Sequence, residues 1–432
     1  MKKSFPRVFL AIAAVVCGSG PVPAQEEVYL QVTSPGLRKV VIAIPPPTQR
    51  PGTDAHAAAT YMDTLRGDLE QTSVIQPLAR ERELLVEVDP ARADLTRQRW
   101  RAAGAQFLLD ATVATVGSQL VTEIRIWDLA SGDVAYSRRF QGTVALASTM
   151  AHTLANEIVH LFTGRPGPFL SRIAFISDRT GHKELWVMRW DGSDQQQLTS
   201  HRSIALAPAW SPEGQWLAFT SFLSGRPQLY LLRPTEGYLR PISTLPGVNT
   251  SASFSPDGSH IAFAAGADGQ TNIYVVPVAG GEPLRLSHSR AIETQPAFSP
   301  NGRQIAFTSA ATGKPRLHLM DAEGTNARPL TLVDDFADEA AWAPDGVRLA
   351  YTTRVEGRFQ IATLDLRTGQ RTVIAGPGNN ESPTWSPDGT MLAFQSNRTG
   401  TLQIYLTDAE GRPRRLTSEG NNFQPSWVTR VH

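Results

Sequence analysis

A pattern of about 44 residues, repeated through the second half of the chain, limits the possible folds more than any other feature. Pro208-Ala209-Trp210-Ser211-Pro212-Glu213-Gly214 runs on to Leu217-Ala218-Phe219. Phe254 follows with Pro256-Asp257-Gly258 and Ile261-Ala262-Phe263, then Phe298 with Pro300-Asn301-Gly302 and Ile305-Ala306-Phe307. Trp342 leads Pro344-Asp345-Gly346 and Leu349-Ala350-Tyr351, and Trp385 leads Pro387-Asp388-Gly389 and Leu392-Ala393-Phe394. The leading aromatics stand 44, 44, 44 and 43 residues apart.

Each copy has the same physical content. Proline presets φ at the first turn position, Asp, Glu or Asn suits the next, and glycine takes a positive φ that other residues resist. Asp257, Asp345 and Asp388 are therefore read as turn residues. The turn joins two strands, and the second is apolar without alternation, as expected where both faces are covered. A third strand follows: Leu185–Met188, Leu229–Leu232, Ile273–Val276, Leu317–Met320, Ile361–Leu364 and Ile404–Leu406. A glycine turn such as Ala279-Gly280-Gly281 leads to a fourth, as at Leu284–Leu286. Four short strands in such a period predict a propeller blade. The array opens at Arg172–Ile176, a second strand lacking its first, and closes at Gln424–Trp427, a first strand lacking its second. Six blades are expected, with the C-terminal strand closing the ring.

The remainder has a different grammar. Lys2, Lys3 and Arg7 precede an apolar run, Val8–Val16, which is too short to span a bilayer and suits a secretory signal cleaved after Ala24. Val16 disfavours acylation of Cys17, the single cysteine. Cleavage takes the net charge from +1 to −2, so no excess charge points to nucleic acid or anionic lipid. The expectation is an exported, periplasmic protein without a membrane span. Within residues 25–165, Val40–Ile44 reads as a strand, and Asp54 reads as the cap of a helix carrying Ala58, Tyr61, Leu65 and Leu69. Phe107–Val113 and Leu120–Leu129 read as strands, followed by a helix carrying Met150, Leu154, Ile158 and Leu161. The fold class expected is a small α/β domain (25–165), a linker at Gly164–Pro168, and an all-β six-bladed propeller (170–432).

Catalytic patterns are lacking. No G-x-S-x-G elbow, no H-E-x-x-H and no paired metal-ligand spacing occurs, so neither a cofactor nor a metal is expected. The loops joining one blade's fourth strand to the next blade's first are more suggestive. They are read as carrying Asn249, Thr250, Glu293, Thr294, Asp334, Asp335, Asp338, Glu339, Asn379, Asn380, Glu381, Asn421 and Asn422. One reading is solvated loop polarity; the other is an acidic channel mouth that docks a protein or a cation.

At these residues the chain resembles the TolB family, periplasmic propeller proteins of the bacterial Tol–Pal system. The resemblance spans the signal, the α/β domain and repeats of the form P-x-W/F-S-P-D-G-x-x-I/L-A-F; the Pro45-Pro46-Pro47 run departs from it. It implies a scaffold without catalysis that links two partners. The lipoprotein Pal would be held at the mouth by Asn249, Thr250, Glu293, Thr294, Asp338, Glu339, Asn380, Glu381 and Asn422. TolA would be held through the mature N-terminus, at Glu26, Glu27, Val28, Tyr29 and Leu30. Other envelope proteins are further partners on this reading, and the implied role is outer-membrane integrity and invagination at division. The competing expectation is a periplasmic hydrolase or ligand-binding propeller.

Overall fold

The turn glycines adopt the conformation that their position demands. Gly214, Gly258, Gly302, Gly346 and Gly389 all lie near φ +70°, where a Cβ is strained. The aspartates beside them cap the turns: Asp257 accepts from Ser259 N at 3.0 Å, Asp345 from Val347 N at 2.8 Å, and Asp388 from Thr390 N at 3.2 Å. The computed structural model describes residues 39–88, 92–266, 269–331, 333–374, 376–407 and 412–428. The signal segment and Glu26–Leu30 lie outside the described residues.

Six four-stranded antiparallel sheets form the propeller. Their innermost strands are Asn422–Val428 (blade 1), Ala205–Trp210 (blade 2), Val248–Phe254 (blade 3), Glu293–Phe298 (blade 4), Ala337–Trp342 (blade 5) and Asn380–Trp385 (blade 6). The C-terminal strand pairs with Arg172–Ser177, with Trp427 opposite Ile173, so the last strand completes the first blade as expected. Second strands such as Leu217–Ser221 and Leu392–Ser396 are buried along their whole length, because each sheet is covered on both sides by its neighbours.

The α/β domain holds β1 (Val40–Ala43), β2 (Thr48–Gln49), α1 (Ala55–Glu70), β3 (Ile75–Pro77), α2 (Arg80–Glu83), α3 (Ala93–Ala102), β4 (Phe107–Val116), β5 (Gln119–Asp128), β6 (Val134–Thr143) and α4 (Ala147–Thr163). The main sheet order is β3-β1-β4-β5-β6. Asp54 caps α1 by accepting from Ala57 N at 3.0 Å, and Ala58, Tyr61, Leu65 and Leu69 are buried. In α4, Met150, Leu154 and Ile158 are buried while Leu161 is half-buried, and Phe162 takes the inward position instead. The long edge strand β6 had no counterpart in the sequence reading, because five of its ten residues are Ser, Arg, Gln or Thr and it alternates weakly.

The expected linker, Gly164–Pro168, ends in buried Gly167 and Pro168 and runs straight into a packed residue. Phe169 N donates to Asn156 Oδ1 at 3.0 Å, and the Phe169 ring meets Trp190 edge-on at 5.2 Å. One apolar core runs from α1 and α4 through Phe169 to Ile173, Met188, Trp190, Met391 and Trp427. Those propeller residues lie where first and third strands end and second strands begin, so the α/β domain sits on the face opposite the starts of the innermost strands.

Candidate functional site at the channel mouth

The innermost strands of neighbouring blades meet around the axis, and their first residues frame one mouth of the channel. The structure corrects the sequence reading here. Asn249, Thr250, Glu293, Thr294, Asp338, Glu339, Asn380, Glu381 and Asn422 lie within the innermost strands, not in the loops before them. Only Asp334, Asp335, Asn379 and Asn421 precede a strand. Low strand propensity made these polar starts resemble loop; pairing to the second strand overrides it.

Four of the nine are also interior. Asn249, Asn380 and Asn422 are 0%, 1% and 0% exposed, and Glu293 is 5% exposed. Their amides are committed: Asn249 Nδ2 donates to Leu245 O at 2.8 Å, Asn380 Nδ2 to Gln360 Oε1 at 2.8 Å, and Asn422 Nδ2 to Gln403 Oε1 at 2.9 Å. These three asparagines hold inter-blade loops shut and are not free to contact a partner. Thr250, Thr294, Asp338, Glu339 and Glu381 keep partial exposure.

Sequence reasoning missed a ring of strained backbone. Ala207, Ser251, Gln295, Glu339, Ser382 and Gln424 occupy equivalent places in the six innermost strands, and all have φ between 49° and 58°. At each the strand register slips, as a β-bulge requires. Neighbouring blades satisfy several freed amides: Ala207 N donates to Gln424 Oε1 at 2.8 Å, Ser382 N to Glu339 Oε2 at 2.7 Å, and Gln424 N to Gln395 Oε1 at 2.9 Å. The six positions share no residue type prone to left-handed conformations, so no local signal marks them.

Charge at the mouth is lopsided. Blades 5 and 6 bring Asp338, Glu339 and Glu381 together, whereas the equivalent positions of blades 2 to 4 are uncharged. Burial raises the carboxyls of Asp338 and Glu339, and the Asp338 charge raises Glu339 further. Burial, then Glu339 and Asp338, push Glu381 up to about 7. Asp338 accepts from Thr308 Oγ1 at 2.7 Å and Glu339 from Thr352 Oγ1 at 2.8 Å. Among the described residues, no group of three or more His, Cys, Asp or Glu is placed to hold a metal ion. Nor is any helix there long and apolar enough to cross a membrane.

These features define a class: closed six-bladed propellers that carry a small α/β domain on one face and a bulged polar ring at the opposite mouth. Residues 159–431 match the model of the TolB beta propeller domain and residues 28–134 that of the TolB amino-terminal domain. The chain belongs to the TolB family. It is 33% identical over 216 residues to the Tol-Pal system protein TolB of Desulfosudis oleivorans, covering 49% of each chain. To the protein of that name from Syntrophotalea carbinolica it is 35% identical over 214 residues, 48% of each. The chain spans about half the length of the curated relatives it matches. The crystal structure of TolB from Acinetobacter baumannii shares the fold, with a TM-score of 0.78 over 90% of this chain and 96% of that one at 23% identity.

Proposed function

We propose that this chain is a periplasmic docking scaffold of the Tol–Pal system with no catalytic activity of its own. Pal docks on the channel mouth, and TolA takes the mature N-terminal segment Glu26, Glu27, Val28, Tyr29 and Leu30, freed when the signal is removed near Ala24. Bridging the two supports outer-membrane integrity and its invagination during division. The observation that carries this reading is the half-buried carboxylate group at the mouth of a TolB-family propeller. Glu381 makes no side-chain hydrogen bond among the described residues. Partly desolvated acids with spare acceptor capacity gain more from an incoming donor than solvated ones do.

Calorimetry of the exported chain with the periplasmic domain of Pal tests it. Asp338→Asn combined with Glu381→Gln is expected to weaken Pal without unfolding the ring. Deleting residues 25–34 is expected to abolish TolA binding and spare Pal. Pal binding untouched by the mouth variants but lost on altering the Pro-Asp-Gly turns would place the docking face on the wrong side. Turnover of a peptide or glycan by the purified protein would favour a hydrolase instead.

A further inference from the structure

Blades 1 and 6 each fold an arginine over their own rim in the same way. In blade 6, Arg398 Nε donates to Ser396 Oγ at 3.0 Å and its terminal nitrogen to Asn380 Oδ1 at 2.8 Å. Its guanidinium lies 4.6 Å from the centre of Tyr405 and 5.5 Å from Phe394. In blade 1, Arg179 Nε donates to Ser177 Oγ at 2.9 Å and its terminal nitrogen to Asn422 Oδ1 at 3.0 Å, over Trp186 at 4.4 Å and Phe175 at 5.7 Å. Hydroxyl, amide oxygen and aromatic pair together form a receptor for a planar cation.

Blade 4 has the receptor without the arginine. Ser309 stands where Ser396 and Ser177 stand, and its Oγ accepts from Ala311 N at 3.3 Å, as the other two accept from Arg398 N at 3.3 Å and Arg179 N at 3.4 Å. Phe307 and His318 supply the ring pair, with centroids 5.6 Å apart. The residue that would reach over them is Ala311, which is exposed. Glu293 replaces the amide acceptor with a carboxylate, so the position has exchanged a cation for a methyl and a neutral acceptor for an anion. The consequence is visible in the interior. Glu293 Oε2, Asn272 Oδ1 and Thr271 Oγ1 are buried with no hydrogen-bond partner among the described residues, although Glu293 and Asn272 are only 5% and 4% exposed. Glu293 Oε1 has a single long bond, from Ser309 Oγ at 3.4 Å. In blades 1, 3 and 6 the matching asparagine oxygens are satisfied, by Arg179, by Ser243 Oγ at 2.8 Å and by Arg398, respectively. A carboxylate buried this deeply with one long bond to a hydroxyl is costly, and a guanidinium in this place would relieve it.

We propose that Glu293, Ser309, Phe307 and His318 form a guanidinium socket that takes an arginine side chain of the protein partner docking on this face. Ala311 lies between a second and a third strand, which places the socket on the same side of the ring as the channel mouth. The inference rests on the docking reading only for the owner of the arginine; the chemistry of the socket stands apart from it.

The probe is methylguanidinium, with methylammonium as the control lacking the planar fork, titrated into the exported chain by calorimetry. Saturable methylguanidinium binding is expected, at least tenfold tighter than methylammonium, weakened at least tenfold in Glu293→Gln and abolished in Ala311→Arg. Ala311→Arg fills the socket as Arg398 does in blade 6, so its melting temperature is expected to rise, which also shows that it folds. Titration with the periplasmic domain of Pal is expected to show an affinity lowered about ten- to a hundredfold by Ala311→Arg, the range of a charge-assisted hydrogen bond. Equal binding of the two probes, or methylguanidinium binding unchanged in Ala311→Arg, overturns the socket. Pal affinity unchanged by Ala311→Arg overturns the assignment of its occupant. Failure of the unaltered chain to bind Pal at all would fall on the docking reading, and the methylguanidinium titration would still decide the socket.

Discussion

The α/β domain and the propeller bury polar groups by different means. In the α/β domain each buried charge has its own partner: Arg66 pairs with Glu83, and His152 Nδ1 meets Asp68 Oδ2 at 2.7 Å. The Arg66–Glu83 pair also ties three elements, since Arg66 donates to Ile44 O at 2.8 Å and Leu78 O at 3.1 Å, and Glu83 accepts from Ile44 N at 2.7 Å. The propeller has such a pair in blade 5, Asp334 with Arg371 at 2.6 Å, but otherwise reuses a neutral solution, an interior amide at the start of an inner strand, in blades 1, 3 and 6. The contrast teaches where sequence can vary. A repeated neutral arrangement tolerates exchange blade by blade, so individual blades are free to acquire acidity (5 and 6) or an unmatched carboxylate (4). A single ion pair has no second copy to fall back on.

Opening the ring is expected to have the largest effect. Truncation after Asn422 removes Phe423 and Trp427, leaves the Arg172–Ser177 strand as an unpaired edge, and cuts the Trp427 Nε1 bond to Ser171 Oγ at 2.7 Å. Loss of a buried Trp alone costs about 3–5 kcal/mol, against about 5–15 for a whole domain. The truncated protein is expected to aggregate or melt far below the intact chain in calorimetry; an unchanged melting temperature would end the closure argument.

A more local break is Arg66→Ala, expected to cost about 3–5 kcal/mol because Glu83 is left charged and buried. Hydrogen exchange is expected to report lost protection in α1 and β1, while the second strands of blades 3 to 5 keep theirs. Equal loss in those blades would mean that the two regions form one cooperative unit.

The smallest effect sharpens the contrast within the mouth. Glu381 binds its proton more tightly in the folded state, about 7 against an ordinary 4.5. Through this group, stability therefore falls as pH rises from about 4.5 through about 7. Glu381→Gln removes that loss: the variant is expected to melt higher than the parent at pH 8 and equally at pH 4. A gain independent of pH would point to packing instead.

Blade number and closure were legible from the chain because the P-x-G turns and apolar second strands recur in order and the two incomplete ends complement each other. The candidate site was half legible. Its residues stand out as polar runs between apolar strands, but which of them are interior depends on pairing with a strand about 15 residues away. The Glu293 socket leaves a trace in the sequence, Ala311 where Arg179 and Arg398 stand in the Ser-x-Arg-Thr-Gly stretches of blades 1 and 6. The trace has meaning only once Asn380 and Asn422 are known to receive those arginines.

By itself, the sequence determined the repeat, the six-bladed ring, its closure by Trp427 and the helices capped and faced as in α1. Turn chemistry and hydrophobic period act over a few residues and are written wherever they act. Only the tertiary structure decided that the mouth asparagines are interior, that six ordinary residues bend into a left-handed ring, and that the Glu293 carboxylate stands where Asn380 and Asn422 receive arginines. Those outcomes arise from contacts between blades, where one strand's register sets which side chains of its neighbour can reach it.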